Sequence, residues 1–321
     1  MRRPIRPAAT RMRMSATLEN IITALKAVRS LDRYPVRNAV AACCLPGNME
    51  VFDQARECYY LDDRSRTVFD WCCQSRIIGA MYGGTPRGLP GQPFTAEEWE
   101  ALEQQAEAMP AGSYAEGDYL LDRVDTWLLE SYSLKGRCEV LPGDVVLDCG
   151  SHSGNTCLYF ARKAGPEGRV YGFEPSRSTF AQLQQNMRTE PTVQVHNCAV
   201  SEHSGIVSFF EGGPMKSGSF LTQGGDVSVY AFSIDDFARK QRLERVDFIK
   251  MDIEGAEEAA LLGAREVIAK CRPRMALSAY HKEMDIVTLP RLVASLAPGY
   301  RFALRHFSME LWETVLYCWP E

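Results

Sequence analysis

The stretch Asp144-Val-Val-Leu-Asp148-Cys-Gly150-Ser-His-Ser-Gly154-Asn-Thr156, with Arg169-Val-Tyr-Gly-Phe-Glu174-Pro175 after it, decides the fold. Val145 to Leu147 form a short apolar run that reads as a buried parallel strand. Asp148, Gly150 and Gly154 then fall where a loop must turn into a helix. Glycines there let the backbone approach a ligand closely. About twenty residues on, a second apolar strand ends in Glu174, where a carboxylate can accept hydrogen bonds from both hydroxyls of a ribose. The pattern predicts an α/β fold that holds a nucleoside.

The spacing separates two kinds of nucleoside ligand. A dinucleotide fingerprint needs Gly-x-Gly-x-x-Gly so that a pyrophosphate can rest on a helix N-terminus. Here the first glycine position is Asp148. A carboxylate repels a pyrophosphate and attracts the ammonium of a methionine moiety, which points to S-adenosylmethionine. Asp148, Gly150, Ser151, Gly154, Asn155 and Glu174 are therefore the expected cofactor-binding residues, joined by Asn197 and Asp252 further on. A nicotinamide-dependent oxidoreductase is the competing enzyme class, and a non-catalytic relic that kept the fold is the third reading.

Outward from this segment, the order of elements continues as a doubly wound sheet requires. Strands are expected near Val145, Val170, Val193 and Phe248, with helices near Thr156 and Phe180. Short strands are expected at Phe209 and Val227 to Phe232, an interior one at Arg274 to Ser278, and a closing hairpin of Tyr300 to Arg305 with Val315 to Trp319. Upstream, Thr95-Ala-Glu-Glu makes a capping box for a helix that presents Trp99, Leu102, Ala106 and Met109 on one face. A further helix is expected from about Glu116 to Tyr132, burying Leu120, Val124, Trp127 and Leu128. The expected organisation is a basic tail over 1–14, a helical region over 15–115 and the cofactor domain over 116–321.

Composition bounds the partners. With 36 basic and 41 acidic residues, net −5, the chain has no global field to hold nucleic acid. No apolar run approaches the roughly twenty residues that span a bilayer, and no secretory signal is evident, so a cytoplasmic location is expected. The 11 cysteines follow no disulfide framework. Cys43, Cys44, Cys58, Cys72 and Cys73 lack chelating Cys-x-x-Cys spacing, and Trp71, Cys72, Ser75 and Ile78 recur as a core face would. The N-terminal region reads as a lid over an acceptor pocket or as a homodimer contact.

Several blocks resemble the FkbM family of S-adenosylmethionine-dependent O-methyltransferases. They are Gly143-Asp-Val-Val-Leu-Asp-Cys-Gly, Gly168-Arg-Val-Tyr-Gly-Phe-Glu-Pro, Asn197-Cys-Ala-Val-Ser, Ser233-Ile-Asp-Asp-Phe, Phe248-Ile-Lys-Met-Asp-Ile-Glu-Gly-Ala-Glu, Arg272-Pro-Arg, Leu304-Arg-His-Phe and Glu313-Thr-Val-Leu-Tyr. The resemblance implies a Rossmann-like class I methyltransferase fold. It also implies methyl transfer to a hydroxyl of a small molecule, sugar or glycan, or polyketide-type product, and it places Asn197 at the adenine edge. An ordinary turn asparagine is the alternative for Asn197.

An alcohol is a poor nucleophile at neutral pH, so a base or metal must take up its proton. Asp252 and Glu254 follow one strand, His281 follows the next, and His306 lies after a third. His281 is the expected general base, because imidazole titrates near neutrality, with Asp252 and Glu254 orienting it or touching the acceptor. A divalent metal on Asp252, His281 and a further carboxylate is the alternative, not favoured because no tight ligand motif is present. Glu257 reads as a helix N-terminal carboxylate. Ser217-Gly-Ser219 reads as a loop over the sulfonium or as plain surface.

Overall fold

The computed structural model describes residues 52, 54–82, 92–117, 119–211, 220–221, 227–282 and 284–321. The basic tail, Cys43, Cys44 and the Ser217-Gly-Ser219 loop lie outside the described residues.

Helix α1, Asp63–Tyr82, precedes α2, Ala96–Glu107. The expected capping box is in place: Glu98 N–H donates to Thr95 Oγ1 at 3.2 Å and Thr95 N–H to Glu98 Oε2 at 2.8 Å. Strand β1, Val145–Cys149, leads into α3, Asn155–Ala164, then β2, Arg169–Phe173, α4, Arg177–Met187, and β3, Val193–His196. A small sheet follows: β4, Ala199–Val200, β5, Gly205–Phe210, β6, Phe220–Leu221, and β7, Val227–Phe232. Helix α5, Ile234–Gln241, leads to β8, Phe248–Met251, then α6, Glu257–Leu262, α7, Arg265–Cys271, and β9, Arg274–Ser278. Helix α8, Asp285–Leu296, and the hairpin β10, Tyr300–His306, and β11, Thr314–Pro320, end the chain.

The main sheet has seven strands in the order β10-β11-β9-β8-β1-β2-β3. Its β9-β8-β1-β2-β3 core is parallel, and β11 inserts antiparallel to both β9 and β10. Order reverses where β1 sits between β2 and β8, so the loops after β1 and β8 diverge and open a crevice at the carboxyl ends of the strands. Strands β1 and β8 are apolar on both faces because helices cover both sides. Asp148 in β1 and Lys250 in β8 interrupt those apolar runs.

The N-terminal helical part docks on the hairpin. Tyr60 bridges Phe302, its hydroxyl donates to Ile286 O at 2.6 Å, and Arg305 pairs with Asp62 at 3.3 Å. Cys72 and Cys73 are buried thiols, whereas Cys58 is exposed. Among the described residues, no helix is long and apolar enough to cross a membrane.

One expected helix differs. Instead of running from Glu116 to Tyr132, the segment forms a short turn, Leu120–Asp122, and then a π-helical turn, Arg123–Leu128. Leu129 N–H bonds Val124 O, five residues back, at 2.9 Å. The extra residue buries Val124, Asp125 and Thr126 in succession, which a regular amphipathic helix cannot do.

Candidate active site

A cleft of about 780 Å³ lies over the carboxyl ends of β1, β2, β8 and β9. Its lining includes Gly150, His152 and Glu174, an apolar patch of Cys198, Ala199, Val200 and Phe209, and Asp252, Glu254, Tyr280, His281, Trp312 and Glu313. A polar side pocket of about 70 Å³ opens beneath Gly150.

Gly150 has φ +85°, and a Cβ there would stand 1.8 Å from Asp252 O. Only glycine lets the loops after β1 and β8 pass so closely. Ser151 Oγ donates to Asp148 O at 2.8 Å and accepts Phe173 N–H at 3.0 Å, pinning the loop to β2. Gly154, φ +105°, is the N-cap of α3 and offers no side chain to accept the first-turn amides. Asn155 Oδ1 accepts Ala115 N–H and Trp127 Nε1–H, each at 3.0 Å, so it fastens the upstream segment over the pocket.

Glu174 reaches the cleft, as its strand-end position implies. It accepts His152 N–H at 3.2 Å on Oε2 and Ser176 N–H at 2.9 Å on Oε1. Burial still raises its pKa to about 7.

Two expected cofactor contacts are placed elsewhere. Asp148 is fully buried and lines neither cavity; Thr156 Oγ1 donates to it at 2.6 Å, and Lys250 Nζ lies 3.4 Å away. Lys250 also donates to Gly150 O at 2.7 Å. This carboxylate neutralises the lysine beneath the loop. Asn197 Nδ2 donates to Glu174 O at 2.9 Å and Pro175 O at 3.1 Å, tying the β3 end to the loop after β2. The turn account of Asn197 fits this geometry, and Cys198 to Val200 form the cleft wall in its place.

The structure brings Asp252, Glu254 and His281 together. His281 Nε2 lies 3.4 Å from Asp252 Oδ1 and 3.6 Å from Glu254 Oε2. Its Nδ1 meets Glu257 Oε1 at 2.9 Å, and that same oxygen accepts Ile253 N–H at 3.0 Å. Glu257 is buried, so its side chain turns inward from the start of α6 rather than serving that helix's exposed N-terminus. Tyr132 and Tyr280 donate to the two oxygens of Asp252 at 3.0 and 3.1 Å.

Their charges differ from the expectation. Burial disfavours imidazolium, yet Glu257, with Asp252 and Glu254 behind it, raises His281 to about 9. It is cationic at neutral pH. Burial would raise Asp252, but Lys250, His281 and the two phenols outweigh it and hold the group below its ordinary value. Burial raises Glu254 to about 7, His281 opposing and the neighbouring carboxylates adding. Glu254 has φ +54°, a left-handed conformation that a non-glycine residue adopts at a cost.

Tyr132, Tyr280, Asp125 and the position of Trp312 carry no readable motif. Lys250 did leave a signal, a lysine inside an otherwise apolar strand.

A mostly parallel sheet that ends in an antiparallel hairpin, with this cleft at its switch point, defines a Rossmann-like class I methyltransferase fold. The sequence model described as Methyltransferase FkbM domain matches residues 148–302, just under half of the chain. It is 27% identical over 150 residues to the 2-O-methyltransferase NoeI of Sinorhizobium fredii, covering 41% of this chain and 61% of that protein. It is 25% identical over 167 residues to the 31-O-demethyl-FK506 methyltransferase FkbM of Streptomyces tacrolimicus, covering 41% and 64%. The chain thus spans less than two-thirds of either relative's length. The solved structure of Methyltransferase FkbM from Methylobacillus flagellatus KT superposes with TM-score 0.57 at 23% identity, covering 85% of this chain and 59% of that one.

Proposed function

We propose that this protein is an S-adenosylmethionine-dependent O-methyltransferase acting on a hydroxyl of a small molecule, sugar or polyketide-type product. The observation that carries the reading is that Glu174 and Glu254 line one cleft, a ribose acceptor and a proton acceptor. The match to the FkbM methyltransferase domain model and the methyltransferase names of both relatives support it.

The residues suit the cofactor. Glu174 can accept ribose hydroxyls, the patch from Cys198 to Val200 with Phe209 suits a purine face, and the carboxylates along the cleft suit a cationic ligand. When bound, S-adenosylmethionine supplies an electrophilic methyl group on a sulfonium. The protein's part is chiefly to hold the acceptor oxygen in line with that group. Glu254 takes the hydroxyl proton, because its raised pKa and cleft position match a base working near neutrality. His281, as a fixed imidazolium, holds Glu254 and Asp252 in place instead of acting as the base.

A divalent metal is the second reading. Single ligand atoms of Asp252, Glu257 and His281 all lie within 4.8 Å of one another, and Glu257 Oε2 is buried without a hydrogen bond. The metal-free reading is favoured because Nδ1 of His281 already engages Glu257 and both Asp252 oxygens receive phenols.

Calorimetric titration with S-adenosylmethionine, S-adenosylhomocysteine and NAD tests the cofactor, and methylation of hydroxylated acceptors with and without EDTA tests the rest. Saturable binding of the adenosyl ligands alone is expected, with turnover indifferent to EDTA. Binding of NAD alone would replace the reading with an oxidoreductase.

A further inference from the structure

The connection between β10 and β11, residues 307–313, holds one indole at the cleft. Phe307 N–H donates to Glu313 O at 3.0 Å and closes the turn across its base. Within the turn Ser308, 1% exposed, donates from Oγ to Trp312 O at 2.7 Å and accepts Glu310 N–H at 3.1 Å. Leu311 packs on the main core. Trp312 beside it stays 45% exposed and lines the cleft. The loop thus fixes its own backbone yet leaves its largest apolar ring partly in water, so the stabilisation that burying an indole contributes is still to be gained from a partner in the cleft. Glu313, the next residue, has φ +66°, a left-handed conformation that non-glycine residues hold at a cost and that recurs at functional sites.

Sheet order sets this indole apart from the adenosine part of the cleft. Glu174 follows β2, and the patch from Cys198 to Val200 follows β3. Trp312 precedes β11, which is reached from β2 through β1, β8 and β9. Neighbouring strands lie about 4.8 Å apart, so the ends of β2 and β11 are separated by roughly 19 Å. β11 begins beside the carboxyl end of β9, where Ala279 N–H donates to Thr314 O at 2.8 Å, and its loop stands over the same edge of the sheet. Glu254 and His281 follow the intervening β8 and β9. In strand order the proposed base falls between the ribose carboxylate and the indole, which leaves Trp312 for the acceptor.

Charge narrows the class. Asp122, Asp252, Glu254 and Glu313 line the cleft with His281, and among the described residues no lysine or arginine does. His281 is already engaged by Glu257, Asp252 and Glu254. An acceptor with its own carboxylate or phosphate would meet these carboxylates and be repelled. A neutral hydroxylated ring offers an apolar face to the indole and hydroxyl donors to the carboxylates.

We infer that Trp312 is the acceptor platform and that the acceptor is an uncharged cyclic alcohol, sugar rings included, laid with its apolar face on the indole. The inference rests on the methyltransferase reading above and narrows its acceptor to rings.

The test uses pairs of probes that differ in one property. Cyclohexane-1,2-diol and hexane-1,2-diol share carbon count and hydroxyls and differ in ring closure, whereas methyl glucoside and methyl glucuronide share a ring and differ in charge. Ligand-detected NMR titrations are run on the full chain saturated with S-adenosylhomocysteine. The ring diol should bind about 3- to 10-fold more tightly than the open diol. The glucoside should bind at least about threefold more tightly than the glucuronide. Trp312→Ala should bring the two diols within about twofold of each other with S-adenosylhomocysteine affinity unchanged, and Trp312→Tyr should keep the ring preference. Equal binding of the diols by wild type, a ring preference that survives Trp312→Ala, a glucuronide bound as tightly as the glucoside, or no binding of any probe would overturn the inference. Loss of S-adenosylhomocysteine affinity in Trp312→Ala would overturn it as well, by showing a structural role. Wild type that fails to bind S-adenosylhomocysteine would sink the cofactor reading and this inference with it, whereas intact cofactor binding without a ring preference sinks this inference alone.

Discussion

His281 Nδ1 and Glu257 Oε1 lie 2.9 Å apart, with the glutamate buried and the histidine's other nitrogen turned to the cleft beside Asp252 and Glu254. Three carboxylates around one ring outweigh its burial, so the imidazolium persists to about pH 9. The group's folded pKa lies above its unfolded value of about 6.5. Its contribution to stability is therefore full below about pH 6.5 and is lost as pH rises through about 9. Glu257→Gln should move the alkaline limb of the kcat profile toward neutrality and, because Glu257 is one of the carboxylates that raise Glu254, shift the acid limb to lower pH. A rate profile from pH 6 to 10 checks this, and an unmoved alkaline limb would remove Glu257 as the residue that positions and charges His281.

With Glu254 as the proposed base, the acid limb is expected to follow its titration. A base must be deprotonated, so kcat should rise with pH through about 7 and level off above it. Glu254→Gln should cut kcat by roughly 10²- to 10⁴-fold with little change in cofactor affinity. Because burial and like charges raise this carboxyl's pKa, its ionised form destabilises the fold above about pH 7. The same variant should therefore melt at a higher temperature than wild type at pH 8. Gain of stability with loss of rate marks a group kept for function, whereas loss of both would mark a structural residue.

The sheet was readable because its strands are apolar runs set off by glycine, proline and charge, and those runs survive whatever chemistry the loops carry. Glu174 was readable for a related reason: a carboxylate ending a buried strand has nowhere to point except the crevice. For Asp148 a linear pattern gives its distance from Gly150 but not the identity of its partner across the sheet. Lys250 stands opposite it in the paired strand and neutralises it. Asp125 was hidden differently. The amphipathic pattern of Leu120, Val124, Trp127 and Leu128 implied a regular helix with Asp125 away from the core, and only the extra residue of a π turn turns it inward. The imidazolium of His281 depends on three carboxylates meeting in space, which spacing alone does not show.

Lys250 and Asp148, 2% and 0% exposed, make a buried pair that can be tested through stability. Lys250→Met leaves an uncompensated carboxylate under the loop and should cost about 3–5 kcal/mol. Asp148→Asn with Lys250→Met removes both charges and should recover part of that loss. Urea unfolding of the two single variants and the double variant measures the coupling. Additive losses would show that the pair does not act together.

Gly150 gives the sharpest steric prediction, because its loop must pass the backbone after β8. A Cβ there would lie 1.8 Å from Asp252 O and 2.8 Å from Asp252 C, and φ is +85°. Backbone cannot yield as a flexible side chain can, so Gly150→Ala must push apart the loops that carry the cofactor end and Asp252. The left-handed strain and overpacking together should cost more than about 3 kcal/mol. Whatever folded protein remains should lose affinity for S-adenosylhomocysteine, since Gly150 lines both cavities. Gly154→Ala is the control. Its Cβ would meet the ends of Leu183 and Met187 at 2.9 Å, side chains that can move aside, leaving mainly the strain of φ +105°. Thermal melts should rank Gly150→Ala well below Gly154→Ala, and equal melting would show that the two loops are not held at this separation in solution.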